Sequence, residues 1–163
     1  MTAAAAQPTI VRDEATGTAL NLPPGWERVD LPGTQLAIAG PASQAAADGT
    51  EFRPNVTVIV APADPDADVA VLGTQALAGA TVVAEDVQVV AYDLALRADG
   101  DPGRRLEFAY QAGSVPLAVT QWVYVHAGTV STVTATCAVA LLAWSQPFVD
   151  HAVAGLRLSG EDR

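Results

Sequence analysis

The sequence predicts a single α+β domain built on an antiparallel sheet. Three observations carry that reading. From residue 82 onward the chain is largely a run of strand-like segments joined by short turns, with no room between them for crossover helices. Only two segments, 64–80 and 141–155, repeat apolar residues at helical spacing. The chain has 163 residues, 50% of them hydrophobic and 16% charged, which fits one domain with its own core. A domain of that size buries roughly 70% of its unfolded surface, so it needs no disulfide or metal to hold together.

Residues 1–8 read as an N-terminal tail and 159–163 as a C-terminal one, around a single domain of 9–158. Short strands follow at 9–13 and 18–22, joined by a turn over Glu14-Ala15-Thr16-Gly17. Pro23-Pro24-Gly25-Trp26 then interrupts regular structure. Strands at 27–31 and 35–40 flank the turn pair Pro32-Gly33, and 41–50 reads as a loop with at most one helical turn. The clearest strand is 55–61. Val56, Val58 and Val60 share one face and Thr57, Ile59 and Ala61 the other, so it should be central and covered on both sides. In 64–80, Val69, Leu72, Ala76, Leu77 and Ala80 make a helical stripe, with Asp66 or Asp68 as N-cap.

The remaining strands are 82–90, 92–98, 104–112, 117–127 and 130–139. Asp99-Gly100-Asp101-Pro102-Gly103 and Ala127-Gly128-Thr129 are turn signals. In 117–127, Trp122, Tyr124 and His126 share a face opposite Val119, Gln121, Val123 and Val125. Thr132, Thr134 and Thr136 form a wetter row on the next strand. The final helix, 141–155, has its stripe at Phe148, Val149, Ala152, Val153 and Leu156. Ser145 can cap it, and Pro147 belongs in its first turn or at a kink. Gly155 ends that helix, and 156–158 adds an edge strand.

Composition excludes several functions. The net charge is −10, the pI is about 4.3, and all eight basic residues are Arg. Phosphate backbones and anionic membranes select clustered cations, and Arg104-Arg105 is the only adjacent basic pair, so nucleic acid is not expected as a partner. No apolar run approaches the ~18 residues of a membrane span. The N-terminus lacks a signal-peptide pattern, which points to a cytoplasmic chain. Cys137 is alone, so no internal disulfide forms.

No constellation suggests catalysis, a metal or a cofactor. Asp64-Pro65-Asp66-Ala67-Asp68 mimics the start of a calcium loop, but Val69 and Gln75 stand where that loop needs Gly and Glu. His126 and His151 are the only imidazoles, one on a strand and one on a helix. Cys137 alternates with Ala135 and Val139 and reads as a small core residue; strand pairing keeps it from His126. Asp150 and His151 are adjacent on a helix and point about 100° apart, and no nucleophile elbow or Gly-rich phosphate loop occurs. Two features remain as candidate contacts for a partner or ligand: the face of Trp122, Tyr124 and His126, and Arg53, which packing does not explain.

The order of motifs is distinctive: "LNLPPGW", "FRPNVTVIV", a helix, then "GRRLEFAY", "LAVTQWVYV", "VSTVTATCAV" and the closing "WSQPFVDHAVAGLRL". Over residues 9–158 this resembles a PsbP-like domain, and more narrowly the actinobacterial LpqN/LpqT-type and bacterial DcrB-like proteins. The resemblance implies a curved antiparallel sheet flanked by helices on both faces, an α/β/α sandwich. It also implies noncatalytic roles: accessory subunits, partner-binding adaptors, envelope lipoproteins, or chaperones for secreted effectors. The chain departs from the lipoprotein members in lacking a signal peptide and lipobox cysteine. The expected function is protein binding, as adaptor or secretion-associated chaperone. The alternative is a small apolar ligand held between sheet and helix beside Trp122 and Phe148.

Overall fold

A computed structural model describes residues 8–97 and 99–161. Its centre is one seven-stranded sheet, antiparallel throughout, made of β3 (Glu27–Arg28), β4 (Leu36–Ala39), β7 (Asn55–Pro62), β8 (Gln88–Leu96), β9 (Pro102–Ala112), β10 (Val115–His126) and β11 (Thr129–Ala138). The spatial order is β3-β4-β7-β11-β10-β9-β8. Two small hairpins complete the strands: β1 (Thr9–Arg12) with β2 (Ala19–Leu22), and β5 (Ser43–Gln44) with β6 (Glu51–Phe52). Helices α1 (Val69–Ala80) and α2 (Leu142–Ala154) lie on opposite faces. The predicted α+β class and the antiparallel sheet are what the chain adopts.

The period of two along each strand decides what each face buries. On one face Val56, Val58, Val133, Ala135, Trp122 and Tyr124 point toward α2 and β2. There they meet Val149, Ala152, Leu20 and Leu158, all at most 2% exposed. Each such valine or leucine side chain contributes about 1.5–3 kcal/mol relative to exposure. On the other face α1 lies over β9 and β10, with Ala80 and Leu77 against Leu106, Phe108 and Val119. The β5–β6 hairpin covers the far end of that face, around Leu117 and Ala138.

Between those two covers the second face is open, which corrects the expectation of a doubly covered central strand. Ile59 is 44% exposed and Thr57 half-buried. The threonine row of β11 lies half-buried alongside them, and Gln121 Nε2 donates to Thr134 Oγ1 at 3.1 Å. An apolar pattern on both faces did not reveal that α1 reaches only β9 and β10.

Other boundaries also moved, each for a local reason. Residues 82–90 do not form a strand of their own. Val82 and Val83 N–H groups donate to the Gly79 and Ala80 carbonyls, so the last turn of α1 consumes the donors a strand would need. The strands expected at 82–90 and 92–98 are one strand, β8, with a bulge between Val89 and Ala91. The stretch 41–50 contributes to a hairpin instead of a helical turn: Gly49 takes φ +88° and Asp48 Oδ1 accepts the Thr50 N–H.

Helix α1 starts at Val69, later than the segment 64–80 suggested, whereas α2 lies where it was expected. Asp64 Oδ1 takes the Asp66 N–H in a turn of its own. Asp68 is then the N-cap of α1, accepting from Ala70 N at 2.7 Å. In α2, Ser145 is not a cap; its Oγ donates to Leu141 O. Pro147 lies past the first turn, where it has no N–H for the Ala143 carbonyl. The expected strand at 156–158 reduces to one bridge, Arg157 to Ala19.

Ser131 is 1% exposed beneath α2's side of the sheet, and its Oγ has no hydrogen-bond partner. Burying a hydroxyl unpaired costs stability, and removing it should recover that cost. Ser131→Ala is expected to leave the unfolding free energy in urea unchanged or raise it by about 1 kcal/mol. A loss of similar size would show that the hydroxyl is bonded.

Candidate functional site

A groove of about 620 Å³ runs between the C-terminal half of α2 and the β8–β10 side of the sheet. Its floor is Trp122 and Tyr124, only 8% and 4% exposed. Asp150, Val153 and Ala154 of α2 form one wall; Ala95, Leu96 and Arg105 of β8 and β9 form the other. Arg97 and Asp99 close one end, just past β8. The floor is shaped by backbone as much as by side chain. A Cβ on Gly103 would meet the Tyr124 ring at 2.4 Å, so glycine lets the ring lie on β9.

Arg97 organises that end. Its side chain is 9% exposed, and its guanidinium makes a two-pronged pair with Glu161, Nη2 lying 2.9 Å from Oε2. The Asp99 carboxylate lies 3.1 Å away and that of Asp101 3.9 Å. The guanidinium carbon is 6.0 Å from the Tyr124 ring centroid. Burial opposes the Arg97 charge, but the Glu161 hydrogen bonds and the three carboxylates outweigh it and raise its pKa. Burial likewise opposes the Glu161 charge. Arg97 and the Leu158 N–H, 3.0 Å away, more than offset it, so the carboxyl titrates below its usual range. Burial pushes the Tyr124 phenol up, so it stays a neutral donor.

The candidates read from the sequence fall in three places. Trp122 and Tyr124 form the groove floor. His126 sits at the end of their strand, opposite Thr129, with Nδ1 3.7 Å from the Asp101 carboxylate. Arg53 is at the other edge of the sheet, where it ties the entry of β7 to β3 and β4. Its Nε donates to Gly40 O at 2.8 Å and its Nη2 to Glu27 at 2.7 Å. Those two bonds account for the residue that packing had left unexplained. Asn55 Nδ2 donates to Arg53 O and fixes the same strand start.

Cys137 pairs with Ala118 across β10 and β11, and burial raises its thiol pKa, which keeps it protonated and unreactive. Asp150 faces the groove, whereas the backbone of its neighbour His151 accepts from Asn21 Nδ2. Among the described residues no three His, Cys, Asp or Glu gather as metal ligands.

Sequence reasoning missed Arg97, Arg105 and Asp150 as groove residues, and Glu161 as the partner of Arg97. A signal existed for Arg105: neighbours on a strand point to opposite faces. Arg104 therefore lies against Gly73 of α1 while Arg105 enters the groove.

No family model matches the sequence, and a search of curated proteins finds no match. Solved structures do match in fold. LpqN of Mycobacterium tuberculosis, described as involved in cell envelope biogenesis, aligns with TM-score 0.69 at 14% identity, over 97% of this chain and 87% of that one. Cyanobacterial PsbP (CyanoP) from Synechocystis sp. PCC 6803 aligns with TM-score 0.64 at 14% identity, over 97% and 96%. The chain has the PsbP-like fold. The Saccharomyces cerevisiae Ran-binding protein Mog1p shares it at TM-score 0.58 and 10% identity, over 93% and 95%.

The Arg97–Glu161 pair should make stability depend on pH. A depressed carboxyl pKa contributes stability that is complete above the ordinary glutamate value of about 4.3 and is lost as pH falls through the folded value. Glu161→Gln should therefore cost about 1 kcal/mol at pH 7, a modest figure because the pair is partly exposed. That difference from the parent should shrink in urea unfolding as pH falls below the ordinary glutamate range and the folded-state carboxyl takes up its proton. A difference that persists unchanged at low pH would contradict the pairing.

Proposed function

We propose that this protein is a noncatalytic binding domain that docks a protein partner in the groove between α2 and β8–β10, as an adaptor or a chaperone for a secreted protein. The observation that carries the reading is the lining of the groove. A buried aromatic floor is rimmed by exposed or half-exposed charges of both signs, Arg105 on one wall and Asp150 on the other. Apolar centre and polar rim are the anatomy of a protein interface. The cations are already held in place: Arg97 by Glu161 and Arg105 by Glu107. A partner would meet a preformed surface and lose little affinity to ordering it. The Ran-binding Mog1p supports the reading by showing that this fold can carry protein recognition.

The alternative of a small apolar ligand between Trp122 and Phe148 is less favoured. Phe148 packs with Trp26 and Trp144, at centroid distances of 6.3 and 5.3 Å, and does not line the groove.

The test is affinity capture from the source cells with the parent chain and the double variant Arg105→Glu/Ala154→Trp, which reverses a rim charge and fills the groove. Both positions are at least partly exposed, so the fold should survive, as circular dichroism would verify. Recovery of the partner is expected to fall at least tenfold. Equal recovery, or a copurified small molecule seen by native mass spectrometry with no protein, would overturn the proposal.

A further inference from the structure

The two edges of the sheet are unlike. The β3 edge is two residues long and both are charged, Glu27 and Arg28. Short, charged edges discourage pairing with other chains. The β8 edge is nine residues long. Among the described residues only β9 pairs with it. After its bulge, the stretch Tyr92–Leu96 runs in unbroken register with β9, from Tyr92 opposite Leu106 to Leu96 opposite Pro102. Such a strand presents a regular row of outward N–H and C=O groups.

The side chains of that stretch are split by face. Leu94 shares the α1 face with Tyr92, whose hydroxyl donates to Ala70 O, while Leu96, at the strand's end, reaches the groove wall. The two leucines remain 59% and 66% exposed. Asp93 and Ala95 lie on the groove face. Asp93 is exposed and joins no ion pair among the described residues, because its cross-strand neighbour Arg105 is held by Glu107. Asp150, on the α2 wall of the groove, is likewise without a described cation; its Oδ1 accepts from Gln146 Nε2.

We infer that β8 is a docking edge for an extended segment of a partner protein, one that alternates apolar and basic residues. The added strand would continue the sheet by main-chain hydrogen bonds. Its apolar side chains would lie beside Leu94, and its basic ones would turn to the groove face, toward Asp93 and Asp150. Charge chooses this occupant over a second copy of the chain, since each copy carries −10 and would bring acid against acid. The inference rests on the docking reading above, because Ala95 and Leu96 belong to both the edge and the groove wall.

The probe is a ten-residue synthetic peptide of alternating valine and arginine, added to the full chain. A control peptide has the same composition in two blocks. Binding is followed by calorimetry and by amide exchange. The alternating peptide is expected to slow exchange of outward β8 amides at least tenfold. Leu94→Lys, at an exposed position outside the groove lining, is expected to weaken it at least tenfold with the unfolding midpoint unchanged. No binding, equal binding of the block peptide, or binding without β8 protection would overturn the inference. If Arg105→Glu/Ala154→Trp abolishes binding while Leu94→Lys leaves it intact, the edge assignment fails and the groove reading stands. A dimer that protects β8 without peptide would give the edge to a second copy and also overturn it.

Discussion

Everything in this molecule depends on the burial of one sheet face against α2 and the β1–β2 hairpin. Val56, Val58 and Val133 are fully buried there, as are Leu20 and Ala152 from the covering layer. Interiors of this kind pack as densely as organic crystals, so the floor they create is fixed in shape. The helix is held at its end as well. Leu158 is 1% exposed in the same cluster, and Arg157 bridges to Ala19. The segment after α2 thus belongs to the core layer and carries Glu161 to Arg97.

That single packing event produces the groove. Because α2 crosses β2, β11 and β7, it leaves the β8–β9 side of the same face uncovered. Trp122 and Tyr124 lie at the margin, buried under the helix on one side and facing open space on the other. The surface that results is rigid, aromatic at its base and charged at its rim. Arg97 could not stand so deeply buried alone; its carboxylate partners supply the compensation a buried cation requires. The groove and the β8 edge are therefore two sides of one uncovered margin.

Much of the fold was legible because strands and turns obey local rules. The alternation in 117–127 correctly put Trp122 and Tyr124 on one face, and Ala127-Gly128 makes the hairpin turn with both residues at positive φ. Asp68 as cap and Asn55 as strand anchor followed from the same local chemistry. What failed needed three dimensions. Val82 and Val83 have strand propensity, yet the end of α1 claims their backbone. Thr57 and Ile59 looked covered because sequence does not say where a helix stops across a sheet. Half of the site was readable in the same sense. The aromatic floor followed from periodicity. Arg97 and Glu161 are 64 residues apart and meet only because the chain returns beside β8.

The central claim is that partners meet the groove rim between α2 and β8. Site-specific photo-crosslinking in the source cells tests it most directly, with benzoylphenylalanine placed at Asp150 in one chain and at Ile59 in another. Both positions are exposed, and they lie on opposite faces of the sheet. The account predicts a covalent protein adduct from position 150 and none from 59. An adduct from 59 alone would contradict it and move recognition to the open threonine face.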